Sequence, residues 1–423
     1  MTTATAADLA APLAAYARRF HAAAGDDQHA ASPLGAWLLL ALCGPACTGD
    51  ARSELARVLG CEIETAAATA AALLAQPHPL VAAAAGAWHQ EGAMTDALAS
   101  WQAGLPPAMQ TGPLRDQAQL DDWATQHSLG MIRRFPVKLT PDTVLMLATA
   151  LATRVSWLRP FDLAPSSALG PDSPWAARVR QVLRTPPRGD SGHRDSGHRQ
   201  FIAATQLAGD VAVHTARAAG GLLVTSVAAA PGVPAGEVLA VGYEIATAVA
   251  AGRLPPQRSL FDLELGAGPL WLLTERAAKV TAAGGREERC TAVLPAWSAD
   301  SLHDLKRPGL GFDIAAGGLA ELLGMPARNY QARQACVARY SRTGFEAAAV
   351  TAMAVTLSTR LRPPGVLRTA ELRFGHPFAV VAVAADENQG HKRGTGASPW
   401  HGMPVFSAWV TRPEEAVEHP PSR

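Results

Sequence analysis

The residues of this sequence that could do chemistry most directly lie between Gly189 and His198. Gly189 to Gly192 reads Gly-Asp-Ser-Gly, and His193 follows directly. A serine becomes a nucleophile when a histidine takes its proton and an aspartate orients that histidine, so Ser191 is the first candidate. The motif, however, lies in a tandem Asp-Ser-Gly-His-Arg repeat without strand patterns around it, and glycine-containing surroundings supply nothing to orient metal-bound imidazoles. We therefore expect solvated loop histidines, no catalytic serine and no metal site.

Other signatures of enzymes and cofactor sites are missing from the sequence. It has no phosphate-cradling loop, no His-Glu-x-x-His helix and no Gly-x-Ser-x-Gly elbow. Gly309-Leu-Gly311 supplies only part of a dinucleotide-binding fingerprint. The five cysteines are odd in number and dispersed, which favours buried free thiols over a disulfide framework. The sequence predicts neither an enzyme nor a bound cofactor.

The run from Gly344 to Ser358 is unusual, because small side chains dominate it and Glu346 is its only charge. Its alanines favour a helix in the first half, whereas valine and threonine later in the run do not. As a strand the run alternates, and one face comprises Phe345, Ala347, Ala349, Thr351, Met353, Val355 and Leu357. A segment that is exposed first and joins a packed sheet later needs small side chains and a strand period. A plain core helix or strand is the alternative interpretation.

Helical patterns precede strand patterns along the chain, without a convincing linker between them. Apolar residues recur at helical spacing from Ala7 to Ala24, and Ser32-Pro33 marks the cap and first turn of a very apolar helix. Val144 to Trp157 is an apolar run with few charges that is compatible with a long central strand or a buried helix. Short strand-length runs fill the second half, and the last two, Leu372 to Ala384 and Pro404 to Thr411, are predicted to pair as a hairpin. These patterns predict one α+β domain over residues 1–423. The polar, glycine-rich stretch 185–199 is predicted to be a mobile surface loop.

Charge and hydropathy argue against two classes of partner. With 37 Lys and Arg against 36 Asp and Glu, the net charge of +1 provides no field for binding nucleic acid or an anionic membrane. The longest apolar stretch, near Trp37, is far shorter than the roughly 20 residues that span a bilayer. The first nine residues show no secretory signal. We expect a cytoplasmic monomer, with an extracellular location left open.

Taken with its neighbours, the run from Gly344 resembles the hinge of the serpins, a family of serine protease inhibitors, and of bacterial serpins in particular. The family pattern is Glu-Glu-Gly-Thr-Glu, four alanines and Thr, and it is matched by Gly344, Glu346, Ala347, Ala348, Ala349 and Thr351. Arg373 to Phe378 resembles the family's Phe-x-x-x-His-Pro-Phe motif, and Pro404 to Pro413 resembles its closing strand. The resemblance covers nearly the whole chain and is weakest between about residues 200 and 284.

The resemblance implies the serpin fold, in which helices pack on three β-sheets and a reactive-centre loop is exposed near the C-terminus, here in the region 342–371. It also implies that a serine protease cuts the loop, forms an acyl-enzyme, and is trapped covalently when the loop inserts into the central sheet. Counting as in the family places the reactive bond at Ser358-Thr359, with Leu357, Arg360 and Leu361 as alternatives. The implied hinge comprises Arg342, Gly344, Phe345, Glu346, Ala347, Ala348, Ala349, Val350 and Thr351.

The implied sheet-opening region comprises Trp157, Ser32, Thr149 and Gln334. Two hinge positions depart from the family pattern. Phe345 stands where the first inserting residue is usually Thr or Ser, and overpacking there costs about 1–3 kcal/mol. Arg342 stands where the family has an acidic residue. Phe345 favours the alternative function, that of a non-inhibitory serpin-fold binding protein whose loop is only a substrate.

Overall fold

The computed structural model describes residues 6–187, 197–280, 284–325, 330–345, 364–385 and 398–417. Helices are concentrated in the first third of the chain and strands in the rest, in the order that the sequence patterns predict. Within the described ranges there are eight α-helices: α1 Ala6–Ala24, α2 Pro33–Cys43, α3 Gly49–Leu59, α4 Ile63–Ala75, α5 Asp96–Ala103, α6 Gln117–His127, α7 Ala235–Ala250 and α8 Phe312–Leu322.

The helix ends follow from capping and from apolar spacing. Ser32 caps α2, because its hydroxyl accepts the backbone N–H of Gly35, and Pro33 occupies the first helical position. Nearly every residue of α2 is buried, as expected for a helix that is apolar all round. A capping box at Asp116 starts α6, which ends at His127. Among the described residues no single helix is long and apolar enough to cross a membrane, although the bent pair α3 and α4 reaches that length together.

The strands form four hydrogen-bonded groups. In chain order they are β1 His29–Ala31, β2 Ala82–His89, β3 Gln110–Pro113, β4 Leu145–Ala152, β5 Val155–Ser156, β6 Asp162–Pro165, β7 Gln181–Arg184, β8 His198–Thr205, β9 Gly209–Ala218, β10 Leu222–Ala228, β11 Gly266–Ala267, β12 Trp271–Lys279, β13 Arg286–Leu294, β14 Trp297–Asp304, β15 Arg333–Tyr340, β16 Gly344–Phe345, β17 Pro364–Arg373, β18 Phe378–Ala384 and β19 Pro404–Val410.

One six-stranded sheet, in the order β1-β19-β18-β10-β9-β8, runs through the core. All residues of β10, β18 and β19 are buried, so these strands show no alternation of buried and exposed positions. Helices α1 and α7 pack on one face of this sheet, and the main core packs on the other. Burial on both faces explains the absence of a polar side. The predicted pairing of the last two strands is confirmed by the antiparallel ladder between β18 and β19.

A second six-stranded sheet has the order β11-β12-β17-β13-β7-β6. Its strand β17 pairs antiparallel with β12 and parallel with β13 along nearly its whole length. Residues 364–371, which the sequence analysis included in the reactive-centre loop region, therefore belong to this strand. The loop region ends earlier than predicted because Leu367, Ala370 and Leu372 are buried on this strand.

The remaining strands form two separately hydrogen-bonded groups, which we together call the main sheet. One group has the order β14-β15-β16-β5 and the other β3-β2-β4. The run Val144 to Trp157 forms two strands, β4 and β5, and Thr153 and Arg154 lie between them. The chain therefore connects the two groups directly, from the end of β4 to the start of β5.

The start of β8 corrects the predicted loop at 185–199. His198 and Arg199 lie in β8 and pair with Ala216 and Thr215 of β9. The His198 side chain is buried, so the prediction of a solvated loop histidine is wrong for this residue. Ser191 and His193 lie outside the described residues.

Candidate functional site: a one-strand gap in the main sheet

At the end of the main sheet where β15 reaches Tyr340, which we call its top, the short strand β16 lies between β15 and β5. Gly344 and Phe345 of β16 pair antiparallel with Ser156 and Val155 of β5, and Phe345 also pairs with Tyr340 of β15. From this end towards Arg333 of β15, no strand among the described residues lies between β15 and β4. Neighbouring strands are about 4.8 Å apart, and β16 pairs with β15 on one side and β5 on the other, so β15 and β5 are separated by the width of one strand. We call the continuing space between β15 and β4 the gap.

The gap is the mouth of a cavity of about 770 Å³. Its walls come from β4 on one side and β15 on the other, its floor from α2, and its roof from α6 and the segment after it. The residues of the two walls are mostly small or apolar: Leu147, Ala148, Thr149, Ala150, Leu151, Ala332, Gln334, Ala335, Cys336 and Val337. Burial raises the pKa of Cys336 to about 12, so this thiol stays protonated and unreactive.

Three predicted sheet-opening residues meet at the floor of the gap. The backbone N–H of Ser32 donates to Gln334 Oε1 at 2.9 Å, and Gln334 Nε2 donates to the Ser32 carbonyl at 2.8 Å. The Thr149 hydroxyl donates to the Gly35 carbonyl at 2.8 Å, and the Ser32 hydroxyl donates to the Val405 carbonyl at 2.8 Å. The start of α2 therefore holds β15 through Gln334 and β4 through Thr149. If β4 and β15 move further apart, the hydrogen bonds of Gln334 to Ser32 and of Thr149 to Gly35 must stretch or rearrange.

Beside the floor lies a buried relay of hydrogen bonds between histidines. His21 and His29 face each other, with Nδ1 of His21 2.8 Å from Nε2 of His29. Nδ1 of His29 lies 2.8 Å from the Asp27 carbonyl, which can only accept, so His29 Nδ1 carries a proton. In the neutral form His29 Nε2 then accepts from His21, and His21 Nε2 accepts from the Ser407 hydroxyl at 2.8 Å. Tyr243 donates to Ser407 at 2.9 Å and completes the relay.

His303 of β14 joins the same cluster from the neighbouring sheet. Its Nε2 lies 2.7 Å from the Ala30 carbonyl, and its ring is 5.8 Å from that of His29. Burial is the largest cause that lowers the pKa of all three histidines, and it lowers that of His21 most strongly. This cluster could not be predicted from the sequence, because His303 and Ser407 are far from His21 and His29 in the chain.

At the top of the gap, the turn before β16 is fastened to the segment 157–161. The Trp157 backbone N–H donates to the Thr343 carbonyl at 3.0 Å, and its indole Nε1 donates to the Ser341 carbonyl at 3.0 Å. The Phe161 N–H donates to the Arg342 carbonyl at 2.9 Å, and Arg342 Nε donates back to the Phe161 carbonyl at 3.0 Å. Trp157, the fourth predicted sheet-opening residue, therefore lies at the hinge and far along the sheet from Ser32.

Phe345 lies inside the sheet, where its side chain is 5% exposed. Its ring meets Trp297 edge-on at 6.3 Å, Trp297 stacks on Tyr340 at 6.0 Å, and Tyr340 lies 4.9 Å from Trp157. The ring thus has a place in an aromatic cluster under the top of the main sheet. The overpacking cost expected from the sequence stays a prediction, but the start of the hinge is already between the strands.

The other predicted functional residues lie outside the described part of the chain. These are the reactive-bond candidates Leu357, Ser358, Thr359, Arg360 and Leu361, and the hinge residues Glu346, Ala347, Ala348, Ala349, Val350 and Thr351. The structure therefore brings together Ser32, Thr149 and Gln334 at one end of the gap, and Trp157, Arg342, Gly344 and Phe345 at the other. Their roles in insertion stay predictions.

Comparison with known proteins identifies the fold. No protein-family model and no curated protein matches the sequence. The thermophilic serpin Tengpin in its native state is 12% identical, with 95% of this chain and 93% of its own covered and a TM-score of 0.62. Human thyroxine-binding globulin is 14% identical, with coverage of 97% and 100% and a TM-score of 0.62. Serpin48 of the insect Tenebrio molitor is 14% identical, with coverage of 96% and 99% and a TM-score of 0.57.

The chain has the serpin fold, as the resemblance implied, and the α+β class is confirmed. The similar structures include a thyroxine-binding globulin as well as serpins from a thermophile, an insect and a trematode. The fold is therefore compatible with more than one function, and the comparisons do not single out the bacterial kind.

Proposed function

We propose that this protein is an inhibitor of a serine protease that acts as a suicide substrate, and that the gap receives its cleaved reactive-centre loop. The observation that carries this proposal is the short strand β16 at the mouth of the gap, since it is the first part of a strand whose continuation is the small-residue run after Phe345. The rest of that strand would complete the hydrogen bonding of β4 and β15.

The register of β16 supports this assignment. Gly344 pairs with Ser156 and Phe345 with Val155, so an uninterrupted antiparallel strand pairs Thr351 with Thr149. On the other side Phe345 pairs with Tyr340, and the same continuation pairs Thr351 with Gln334. Both ladders, taken independently, bring Thr351 to the two residues that are fastened to α2. A threonine hydroxyl at this point can join the hydrogen bonds of the floor.

The alternation of faces agrees with the same register. Phe345 faces the main core, so Ala347, Ala349 and Thr351 face it too in a continuous strand. Their partners Leu151 and Thr149 on β4 point to the same side, because Thr149 bonds to Gly35 of α2. The floor is close, since a Cβ on Gly35 would lie 3.2 Å from Leu151 Cδ1. The small side chains of Ala349 and Thr351 suit this close approach.

The chemistry of inhibition is supplied by the target protease. Its serine attacks the carbonyl of the reactive bond, at Ser358-Thr359 in our proposal, and the new amino terminus leaves. The acyl-enzyme ester would normally be hydrolysed by water. Insertion of the freed loop as a strand carries the attached protease along the sheet and distorts its active site before hydrolysis, so the ester persists. No catalytic side chain of this protein is needed.

The proposal is tested by incubation with chymotrypsin, elastase, trypsin and subtilisin. We expect at least one protease to form a covalent complex that survives denaturing electrophoresis, and sequencing of the released amino terminus to locate the cut between Leu357 and Leu361. Cleaved protein should also unfold at a higher temperature than intact protein, because the gap is filled. Clean cleavage without a complex, in the presence of the thermal shift, would reject inhibition and retain insertion.

A second candidate function is a serpin-fold binding protein whose loop is cut without trapping a protease. One observation favours it: one similar structure is a thyroxine-binding globulin. Phe345, the residue that favoured this alternative in the sequence, is already buried between β15 and β5. Under this alternative the same four proteases cut the loop and are released active.

A further inference from the structure

The turn between β15 and β16 reverses the chain at the mouth of the gap and decides where the inserting strand begins. Ser341 closes this turn, because its N–H donates to the Gly344 carbonyl at 3.0 Å and its hydroxyl donates to the same carbonyl at 2.9 Å. These bonds shape the turn but do not attach it to the rest of the protein. Its orientation depends on contacts with the segment 157–161.

That segment is itself firmly anchored. The Phe161 side chain is fully buried, and its ring lies 4.6 Å from His198, 5.4 Å from His214 and 5.8 Å from Tyr340. The Leu158 backbone N–H donates to the Arg217 carbonyl of β9 at 2.9 Å. Phe161 is therefore a fixed point, held by two strands of a different sheet.

Arg342 joins the turn to this fixed point in both directions. Its carbonyl accepts the Phe161 N–H, and its Nε–H donates to the Phe161 carbonyl. The second bond comes from Nε, the guanidinium nitrogen nearest the backbone. A lysine has no donor at this position, because its donors are all on the ammonium group at the end of a flexible stem. Charge-assisted hydrogen bonds of this kind are roughly twice as strong as neutral ones.

We propose that Arg342 is a positioning residue that fastens the hinge turn to Phe161, and so holds Gly344 and Phe345 between β15 and β5 as the first rung of the inserting strand. This role rests on the proposed insertion of the loop. In the sequence, Arg342 departs from the family pattern, because an acidic residue is usual at this position. In this chain a backbone carbonyl is the partner, so a positive charge with a planar donor suits the position.

The contact itself is tested by amide hydrogen exchange in the uncleaved protein. In Arg342→Ala, exchange at Trp157 and Phe161 should become at least about tenfold faster, which corresponds to loss of one charge-assisted bond. Arg342→Lys should behave like the alanine variant. Arg307→Ala, which removes an exposed arginine of the turn after β14, is the matched control and should leave exchange unchanged. Exchange at the wild-type rate in Arg342→Ala, or full rescue by lysine, would overturn the inference.

The positioning role is tested on the same variants after loop cleavage. The rise in unfolding temperature should develop more slowly in Arg342→Ala and Arg342→Lys, and more inhibitor molecules should be consumed per trapped protease. Faster exchange with unchanged insertion and trapping would overturn the role while the proposed function stands. If the wild type neither traps a protease nor gains stability on cleavage, the proposed function fails and the role with it, whereas amide exchange still decides whether the contact exists.

Discussion

The buried cluster of His21, His29 and His303 makes the stability of this protein depend on pH in a defined direction. All three side chains have a lowered pKa in the folded protein, chiefly because burial disfavours the charged form. After unfolding they recover an ordinary pKa of about 6.5. Below that pH the unfolded chain binds more protons than the folded one, so stability falls as the pH falls.

The magnitude follows from the number of histidines that stay neutral. For a group that remains unprotonated in the folded state, lowering the pH from 7.5 to 5.5 costs about 1.4 kcal/mol. His21 is fully buried and its Nδ1 faces another imidazole at 2.8 Å, so it should contribute the whole amount. The other two are opposed by hydrogen bonds to backbone carbonyls, and the carboxylates of Asp26 and Asp27 also act on His29. The contribution of this cluster to the loss of stability therefore lies between about 1.4 kcal/mol for His21 alone and about 4 kcal/mol for all three.

Two further side chains near the cluster, those of Tyr243 and Cys336, stay uncharged between pH 5.5 and 7.5. Burial raises the pKa of Tyr243, which donates to Ser407, and it raises the pKa of Cys336 near Tyr243, so neither titrates between pH 5.5 and 7.5. The assay is urea unfolding at pH 7.5, 6.5 and 5.5 for the wild type and His21→Gln, with His89→Gln at a half-buried position as control. The variant should lose about 1.4 kcal/mol less than the wild type over this range. Equal losses in the two proteins would refute the reasoning, whatever the absolute stability of the variant.

Three other outcomes are expected from the same structure. Ser32→Ala removes the cap of α2 and leaves the Val405 carbonyl without its donor, and should lower the free energy of unfolding by about 1–2 kcal/mol in urea titration; no change would contradict the floor contacts. Trp157→Phe keeps the aromatic cluster but removes the indole bond to the Ser341 carbonyl, and should cost about 1 kcal/mol in the same assay, so a loss several times larger would show that packing is what matters there. Thr351→Lys should abolish the rise in unfolding temperature after loop cleavage, because the register buries the charge beside Thr149 and Gln334, while Thr351→Ser should preserve it; a rise in the lysine variant would exclude this register.

The sequence predicted those features that depend on local pattern. Ser32 and Pro33 mark a helix start by chemistry that acts within one turn, and the closing strands are apolar runs between turn signals. The alternation around Phe345 correctly indicated a strand for its first two residues. His198 was misassigned because the tandem repeat before it is polar, whereas its burial is decided by strand pairing with β9 and by contact with Phe161. The role of Arg342 could not be derived either, since its partner is a backbone carbonyl far away in the chain.

The strand β17 lies between β12 and β13, with hydrogen bonds on both sides. The chain between Phe345 and Pro364 is consequently anchored at both ends, one in the main sheet and one in the interior of another sheet. Each residue that joins a strand advances the chain by about 3.3 Å, so an uncut loop can enter the gap only until it is taut, and further entry requires β17 to leave both neighbours. Under the proposed function, this attachment at both ends keeps the uncut loop from entering the gap fully. Cleavage of one peptide bond would release the attachment, so the insertion that follows would need no further source of energy.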